Sequence, residues 1–294
     1  MSILFDTNSM KINSISPLKH KYLQIINTIA KCPKKLYFIG ELPDSRMPTV
    51  AIVGTRKPTA YGREVTYQLA YDLAKQGIVV ISGLALGVDG IVHRAALDAG
   101  GTTIAILANG LDTIYPASHR ALATGILKAG GAIVSEYEPG ILPRDFQFLA
   151  RNRIVSGLSD AVIVTEAARR SGTLATVNHA LEQGREVFAV PGNITSPLSV
   201  GCNVLIKQGA TPITSAEDVI EIIAPDLLES QQSLALGNSP LETKIIQLIQ
   251  SGIRDGDQLL EQSEANISEF SQTLSMMEIT GTVRALGGNQ WTLR

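Results

Sequence analysis

The sequence predicts an α/β protein: a doubly wound, mostly parallel Rossmann-like sheet followed by a small winged-helix-like domain. Three observations carry this. Six short β-rich runs, each nearly continuously apolar, recur between residues 50 and 192, the pattern of strands buried on both faces. Helix-length segments separate them, with apolar residues at helical spacing and glycine at their ends. Beyond residue 240 the pattern changes to short helical segments and a hairpin-like tail, as in a winged helix.

Residues 1–35 read as a short N-terminal helical extension, with an amphipathic helix over 18–30; LYFIG (36–40) reads as an edge strand. The Rossmann-like domain is expected over 36–227. Its strands are VAIVGT (50–55), IVVISG (78–83), TIAILANG (103–110), AIVSEY (132–137), AVIVTEA (161–167) and VFAVPG (187–192). Intervening segments such as YGREVTYQLAYDLAKQG (61–77) and HRALATGILKAGG (119–131) read as helices, and AEDVIEIIAPDLL (216–228) adds one more. The polar, turn-rich stretch 228–240 reads as a linker. Over 241–294, helices are expected at 241–250, 257–262 and 267–278, closed by the hairpin GTVRALGGNQWTLR.

Composition narrows the function classes. The chain has 294 residues, of which 45% are hydrophobic and 18% charged; that suits about two folded domains and excludes a disordered chain. Two cysteines, Cys32 and Cys202, exclude a disulfide scaffold and a thiolate zinc site and point to a reducing compartment. No apolar stretch approaches the roughly 20 residues that span a bilayer, and no basic segment precedes the short apolar run at the start. A cytoplasmic protein with no membrane partner is expected. The net charge of −2 hides an asymmetry: residues 1–49 carry seven basic side chains against three acidic, whereas everything after 215 carries four against twelve. An anionic partner would meet the front of the molecule.

Ligands of open parallel sheets bind outside the carboxyl ends of the strands. The loops there are GTRKPTAYG (54–62), SGLALGVDG (82–90), ANGLD (108–112), EYEPG (136–140), EAARRSGT (166–173) and PGNITS (191–196). Glycine lets an oxygen-rich ligand approach the backbone, and helix starts attract anions. Arg56 and Lys57 follow the first run, and Arg169 and Arg170 precede the Ser171-Gly172-Thr173 turn, so phosphate is the expected ligand. The dinucleotide fingerprint GxGxxG and the GxxxxGK[ST] loop are both missing, so no nucleotide cofactor is expected. Asp89 and His93 stand four apart, a spacing that allows an acid–base pair but more commonly anchors a helix. His20, His119 and His179 lack metal-ligand spacing, and Ser82 and Ser135 lack the GxSxG elbow. Glu136 and Glu138 would face opposite ways on a strand. The segment 141–160 places Arg144, Arg151 and Arg153 around Phe146 and Phe148, a mixture of cations and rings suited to single-stranded nucleic acid.

Read together, VAIVGTRKPTAYG (50–62), ISGLALGVDGIVHRAAL (81–97), ILANGLDTIYP (106–116), IVSEYEPG (133–140), the long block 151–192 beginning RNRIVSGLSD, and GCNVLIKQGA (201–210) resemble the DNA-processing protein A family (DprA, or Smf). The tail from 277 resembles the winged helix of many members. The front is shorter than is common in the family, Phe148-Leu149 stands where a Phe-Pro is usual, and GTR replaces the commoner GSR. The resemblance implies a non-catalytic protein that binds single-stranded DNA, forms a homodimer and helps load the RecA recombinase during natural transformation. It assigns DNA contacts to Arg56 and Phe148, and phosphate hydrogen bonds to Ser171, Gly172 and Thr173. Position and charge add Lys57 and Arg144. Gly54, Thr55, Gly83, Asn109 and Arg151, in the same loops and basic segment, complete the candidate set. The segment 201–210 is the candidate dimer contact. No catalytic residue and no metal are expected.

The competing reading is an enzyme of the lysine-decarboxylase-like (LOG) type, a nucleoside 5'-monophosphate phosphoribohydrolase with a similar core. Its glutamate would stand at Thr176, so the acid–base group is missing. In the C-terminal domain, residues 267–278 contain no Lys or Arg, whereas a duplex reader presents a basic recognition helix. Protein contacts or packing are the expected role there.

Overall fold

Strands of the first unit alternate their side chains between two apolar layers, which is why they read as unbroken hydrophobic runs. In this computed structural model, which describes residues 11–227 and 239–293, the chain divides into units meeting between Ala224 and Pro225. The first carries nine strands: β1 Asn13–Ile15, β2 Leu36–Gly40, β3 Thr49–Val53, β4 Val79–Ser82, β5 Thr103–Leu107, β6 Ala132–Ser135, β7 Ala161–Val164, β8 Glu186–Ala189 and β9 Thr211–Pro212. Their order is β1-β2-β6-β5-β4-β3-β7-β8-β9. From β6 to β9 all neighbours are parallel, whereas β2 is antiparallel to both β1 and β6. Ala51, Val53, Val79, Ile81, Ile104 and Ile106 point into one layer, and Ala105, Leu107 and Ile133 into the other.

The helices are α1 Ala60–Lys75, α2 Val88–Asp98, α3 Arg120–Lys128, α4 Asp145–Gly157, α5 Thr173–Glu182, α6 Val200–Lys207 and α7 Glu217–Ile223. Each of α1 to α6 connects parallel strands and so begins at the rim where the strands end, as a right-handed crossover requires.

Two expectations about the front of the chain are corrected. The amphipathic helix over 18–30 is instead two 3-10 segments, Pro17–Lys19 and Leu23–Thr28. Tyr22, Leu23 and Ile26 are fully buried in the same core as the sheet, so packing against the sheet, not helical periodicity, sets their spacing. LYFIG is not an edge strand: β1 pairs along its outer side. A separate N-terminal helical extension is therefore not formed by residues 11–35, which add a strand and core residues to the sheet unit.

The second unit folds α8 Pro240–Gln250, α9 Gly256–Ser263 and α10 Ile267–Ile279 with a hairpin of β10 Val283–Gly287 and β11 Gln290–Leu293. Ser239, Asp255 and Asn266 cap the three helices through side-chain oxygens that accept backbone N–H bonds, satisfying donors that a helix start leaves free. Ile245, Ile249, Leu259, Phe270, Leu274 and Met277 form the core. The expected linker falls mostly outside the described residues; of its last two positions, Ser239 caps α8 and Pro240 begins it.

Candidate nucleic-acid interface

The strand order reverses at β3. β4, β5 and β6 step away on one side, and β7, β8 and β9 on the other, so the loops leaving β3 and β7 diverge and a gap opens between them. A cavity of about 250 Å³ fills that gap. The β3 loop supplies Gly54, Thr55 and Arg56, the β4 loop and α2 supply Ala85 and Asp89, and the α5 turn supplies Ser171, Gly172 and Thr173. Phe148, Leu149, Arg151 and Asn152 of α4 cover it.

The helix starts near this crevice differ in what they offer an anion. At α1, Glu166 accepts from the Thr59 backbone N–H at 2.9 Å and from the Thr59 hydroxyl at 2.5 Å. At α2, Asp89 accepts from the backbone N–H groups of Gly83 and Ala85 at 3.1 and 3.2 Å. The protein's own carboxylates thus take the Thr59, Gly83 and Ala85 donors of those two loops. At α5 the Gly172 N–H has no acceptor among the described residues, and a Cβ on Gly172 would meet nothing within 4 Å. This turn therefore keeps an open backbone donor on the crevice that Arg56 also lines.

Arg56 is exposed, and its guanidinium lies 5.5 Å from the centroid of the half-buried Phe148 ring. Phe148 also meets Tyr115, with centroids 5.6 Å apart and planes at 53°. Arg56, Phe148, Tyr115 and Leu86 line a smaller apolar hollow of about 50 Å³ adjoining the crevice. Cation, ring and open backbone donor therefore stand side by side, the combination that grips a phosphate and stacks a base. The floor is different: Arg151 and Asp89 oppose each other there, and burial pushes the Asp89 carboxyl up and the Arg151 guanidinium down, each partly offset by the other's charge.

Over residues 13–224 the chain matches the family model described as DNA recombination-mediator protein A, and over 229–289 the DprA winged helix domain. The chain belongs to the DNA recombination-mediator protein A family. It is 39% identical over 274 residues to Protein Smf of Escherichia coli (strain K12), covering 89% of this chain and 72% of that protein. It is 43% identical over 211 residues to DNA processing protein DprA of Bacillus subtilis (strain 168), covering 71% of each. Among solved structures it resembles DprA from Streptococcus pneumoniae, with a TM-score of 0.67 and 40% identity over 72% of this chain and 75% of that one. It also resembles DNA processing protein A from Helicobacter pylori, described for its single-stranded DNA binding mode, with a TM-score of 0.63 and 35% identity over 74% and 96% of the two chains.

Against this DNA recombination-mediator fold, the candidate residues separate into three groups. Arg56, Thr55, Phe148 and the 171–173 turn meet at the crevice. Lys57 and Arg144 are exposed but do not line it. Gly54 and Arg151 also line the crevice, and they share with Gly83 and Asn109 a structural part within the fold. Arg151, 4% exposed, lines the crevice and donates to the carbonyls of Gly83 and Ile106, bracing α4 against the rim. Asn109, 1% exposed, donates to the carbonyls of Gly110 and Thr113 and shapes its own turn. Gly83 leaves room for the Arg151 guanidinium, and a Cβ on Gly54 would stand 2.6 Å from Val88 Cγ2; both glycines serve packing. The Thr173 hydroxyl donates to the Gly54 carbonyl at 3.0 Å and the Ser171 hydroxyl to Thr173 Oγ1 at 3.0 Å. These bonds knit the turn together and tie it to the loop after β3, while both residues line the crevice.

Other expectations resolve locally. Asp89 and His93 form no pair, because His93 Nδ1 bonds the Thr103 hydroxyl at 2.7 Å. Glu136 and Glu138 do not diverge: β6 ends at Ser135, the chain bends, and both line one hollow. Sequence reasoning passed over Tyr115 and Gly87. Gly87 has φ of +78°, and a Cβ there would stand 2.5 Å from the Arg56 carbonyl carbon, so its bare backbone sets the position of Arg56. The signals were an aromatic directly before Pro116 and a glycine directly before α2.

Proposed function

We propose that the crevice holds the backbone of single-stranded DNA and that the chain is a recombination mediator that breaks no bonds. It shields the incoming strand and helps load RecA during natural transformation, working in the cytoplasm as a homodimer whose contact includes 201–210. The observation that carries this reading is the Arg56 guanidinium seated on Phe148 next to the open Gly172 N–H. Family membership supports it, as does the Helicobacter pylori relative described for single-stranded DNA binding. Among the described residues no helix is long and apolar enough to cross a membrane.

Thr176, buried against the crevice, offers no carboxylate where the LOG-type enzyme needs its acid–base group. The carboxylate that does line the crevice, Asp89, holds two backbone N–H groups. The test is fluorescence anisotropy of a labelled oligothymidylate at rising salt, alongside an assay for adenine released from AMP. Binding that falls with salt and weakens in Arg56→Ala, with no adenine released, is expected. No binding at low salt, or adenine release by the wild type, overturns the reading.

A further inference from the structure

A second hollow, of about 450 Å³, opens at the same rim of the sheet, beside β2 and β6. Because β2 runs antiparallel to β6, its first residues lie beside the end of β6, with Tyr37 opposite Ser135. The segment entering β2 lines the hollow with Lys31, Lys34 and Lys35, and Arg153 of α4 reaches it from the other side. All three lysines are exposed, and none forms an ion pair among the described residues.

Two carboxylates share the hollow, and each has a donor of its own. Glu136 pairs with Arg153, and Glu138 accepts from the Tyr37 hydroxyl at 2.9 Å. Lys35 lies 5.5 Å above the Tyr37 ring, which covers a face that could otherwise stack on a base. What remains is an excess of cationic donors without a stacking surface, the requirement for holding phosphates irrespective of sequence. α4 links the two sites: Asn152 faces the crevice and the next residue, Arg153, faces this hollow.

We propose that the lysine-lined hollow is a second anchor for the sugar-phosphate backbone of the strand held in the crevice, and this rests on the single-stranded DNA reading above. From β3 to β6 is three strand spacings, roughly 14 Å. At about 3.4 Å per nucleotide of stacked strand, the path over α4 takes about four nucleotides. A strand confined to the crevice does not reach the lysines; a longer one does.

The test compares salt dependence of affinity for two oligothymidylates, one of about two nucleotides, shorter than that path, and one several times longer than it. The variant is Lys31→Gln/Lys34→Gln/Lys35→Gln. The control Lys75→Gln/Lys128→Gln removes charge from the last turns of α1 and α3, at the opposite rim. Each phosphate contact on a single strand contributes about 0.7 to the slope of log affinity against log salt. The triple variant should lose about 2 from that slope on the long strand. Between roughly 50 and 200 mM salt, the wild type then loses about 20-fold more affinity than the variant. On the short strand, and in the control, the slope should hold. An unchanged long-strand slope in the triple variant, with Arg56→Ala still lowering it, overturns the anchor and leaves the crevice reading standing. An equal loss on both strands also overturns it, because the lysines would then act through a general field. If neither Arg56→Ala nor the triple variant changes binding, the crevice reading itself fails.

Discussion

Replacing Phe148 with alanine separates stacking from charge. The ring is half-buried between the Arg56 guanidinium at 5.5 Å and Tyr115 at 5.6 Å, with one side open to the crevice. Stacking of a base on an aromatic side chain contributes about 1–3 kcal/mol, which corresponds to about 5- to 150-fold in Kd. The ring carries no charge, so the salt slope should stay at the wild-type value. Arg56→Ala should lower that slope by about 0.7. Arg56 also sits on the ring, and an exposed cation–π contact contributes about 0.5–1 kcal/mol; the two substitutions should therefore be non-additive by about that amount in a double-mutant cycle. Anisotropy of labelled oligothymidylate across a salt series measures all three quantities. Phe148→Leu keeps much of the apolar volume and loses the π-face, so it should bind weakly while melting near the wild type. Wild-type affinity in Phe148→Ala, a reduced slope in that variant, or strict additivity with Arg56→Ala refutes the shared platform.

Tyr115→Leu should weaken single-strand binding by less than Phe148→Ala, through loss of the ring that orients Phe148, with an unchanged salt slope in the same assay. Arg151→Ala leaves the buried carbonyls of Gly83 and Ile106 without this donor, and an unsatisfied buried polar group costs about 1–3 kcal/mol; urea denaturation without DNA should show it, and an unaltered midpoint would refute the bracing role. Gly83→Ala should destabilise by roughly 1–3 kcal/mol in the same measurement, because its methyl group enters the Arg151 guanidinium. His93, fully buried against Thr103, has its pKa lowered by burial to about 3. The unfolded chain therefore takes up this proton first as pH falls below about 6.5, and the contribution present above that value is lost toward pH 3. Between pH 6.5 and 5 this amounts to about 2 kcal/mol. Asp89, with its carboxyl raised by burial, acts in the opposite sense. The readout is consequently the difference between wild type and His93→Gln: the variant should show a flatter fall, and an identical pH profile would rule out His93 as its source.

The six apolar runs predicted β3 to β8 to within a few residues, because a strand covered on both faces must be apolar at every position and tolerates few substitutes. The helices expected at 241–250, 257–262 and 267–278 form to within one residue at each end, and the structure adds the caps Ser239, Asp255 and Asn266 that fix their starts. The front of the chain misled for the converse reason. Tyr22, Leu23 and Ile26 have helix-like spacing but pack in one core with Leu36, Val134 and Ile154, neighbours that only the tertiary fold brings to them.

At the candidate site the sequence by itself determined the chemistry on offer: arginine after β3, an aromatic within a basic helix, and a glycine turn before α5. Which of these meet was decided by the tertiary structure, through the placement of β7 beside β3. The same folding engaged other candidates. Glu166 reaches Thr59 across 107 residues and Arg151 reaches Gly83 across 68, so donors and cations that look free along the chain find partners inside it. Local pattern encodes what a segment can form; whether its polar groups remain available to a ligand depends on neighbours that strand order brings in from far along the chain.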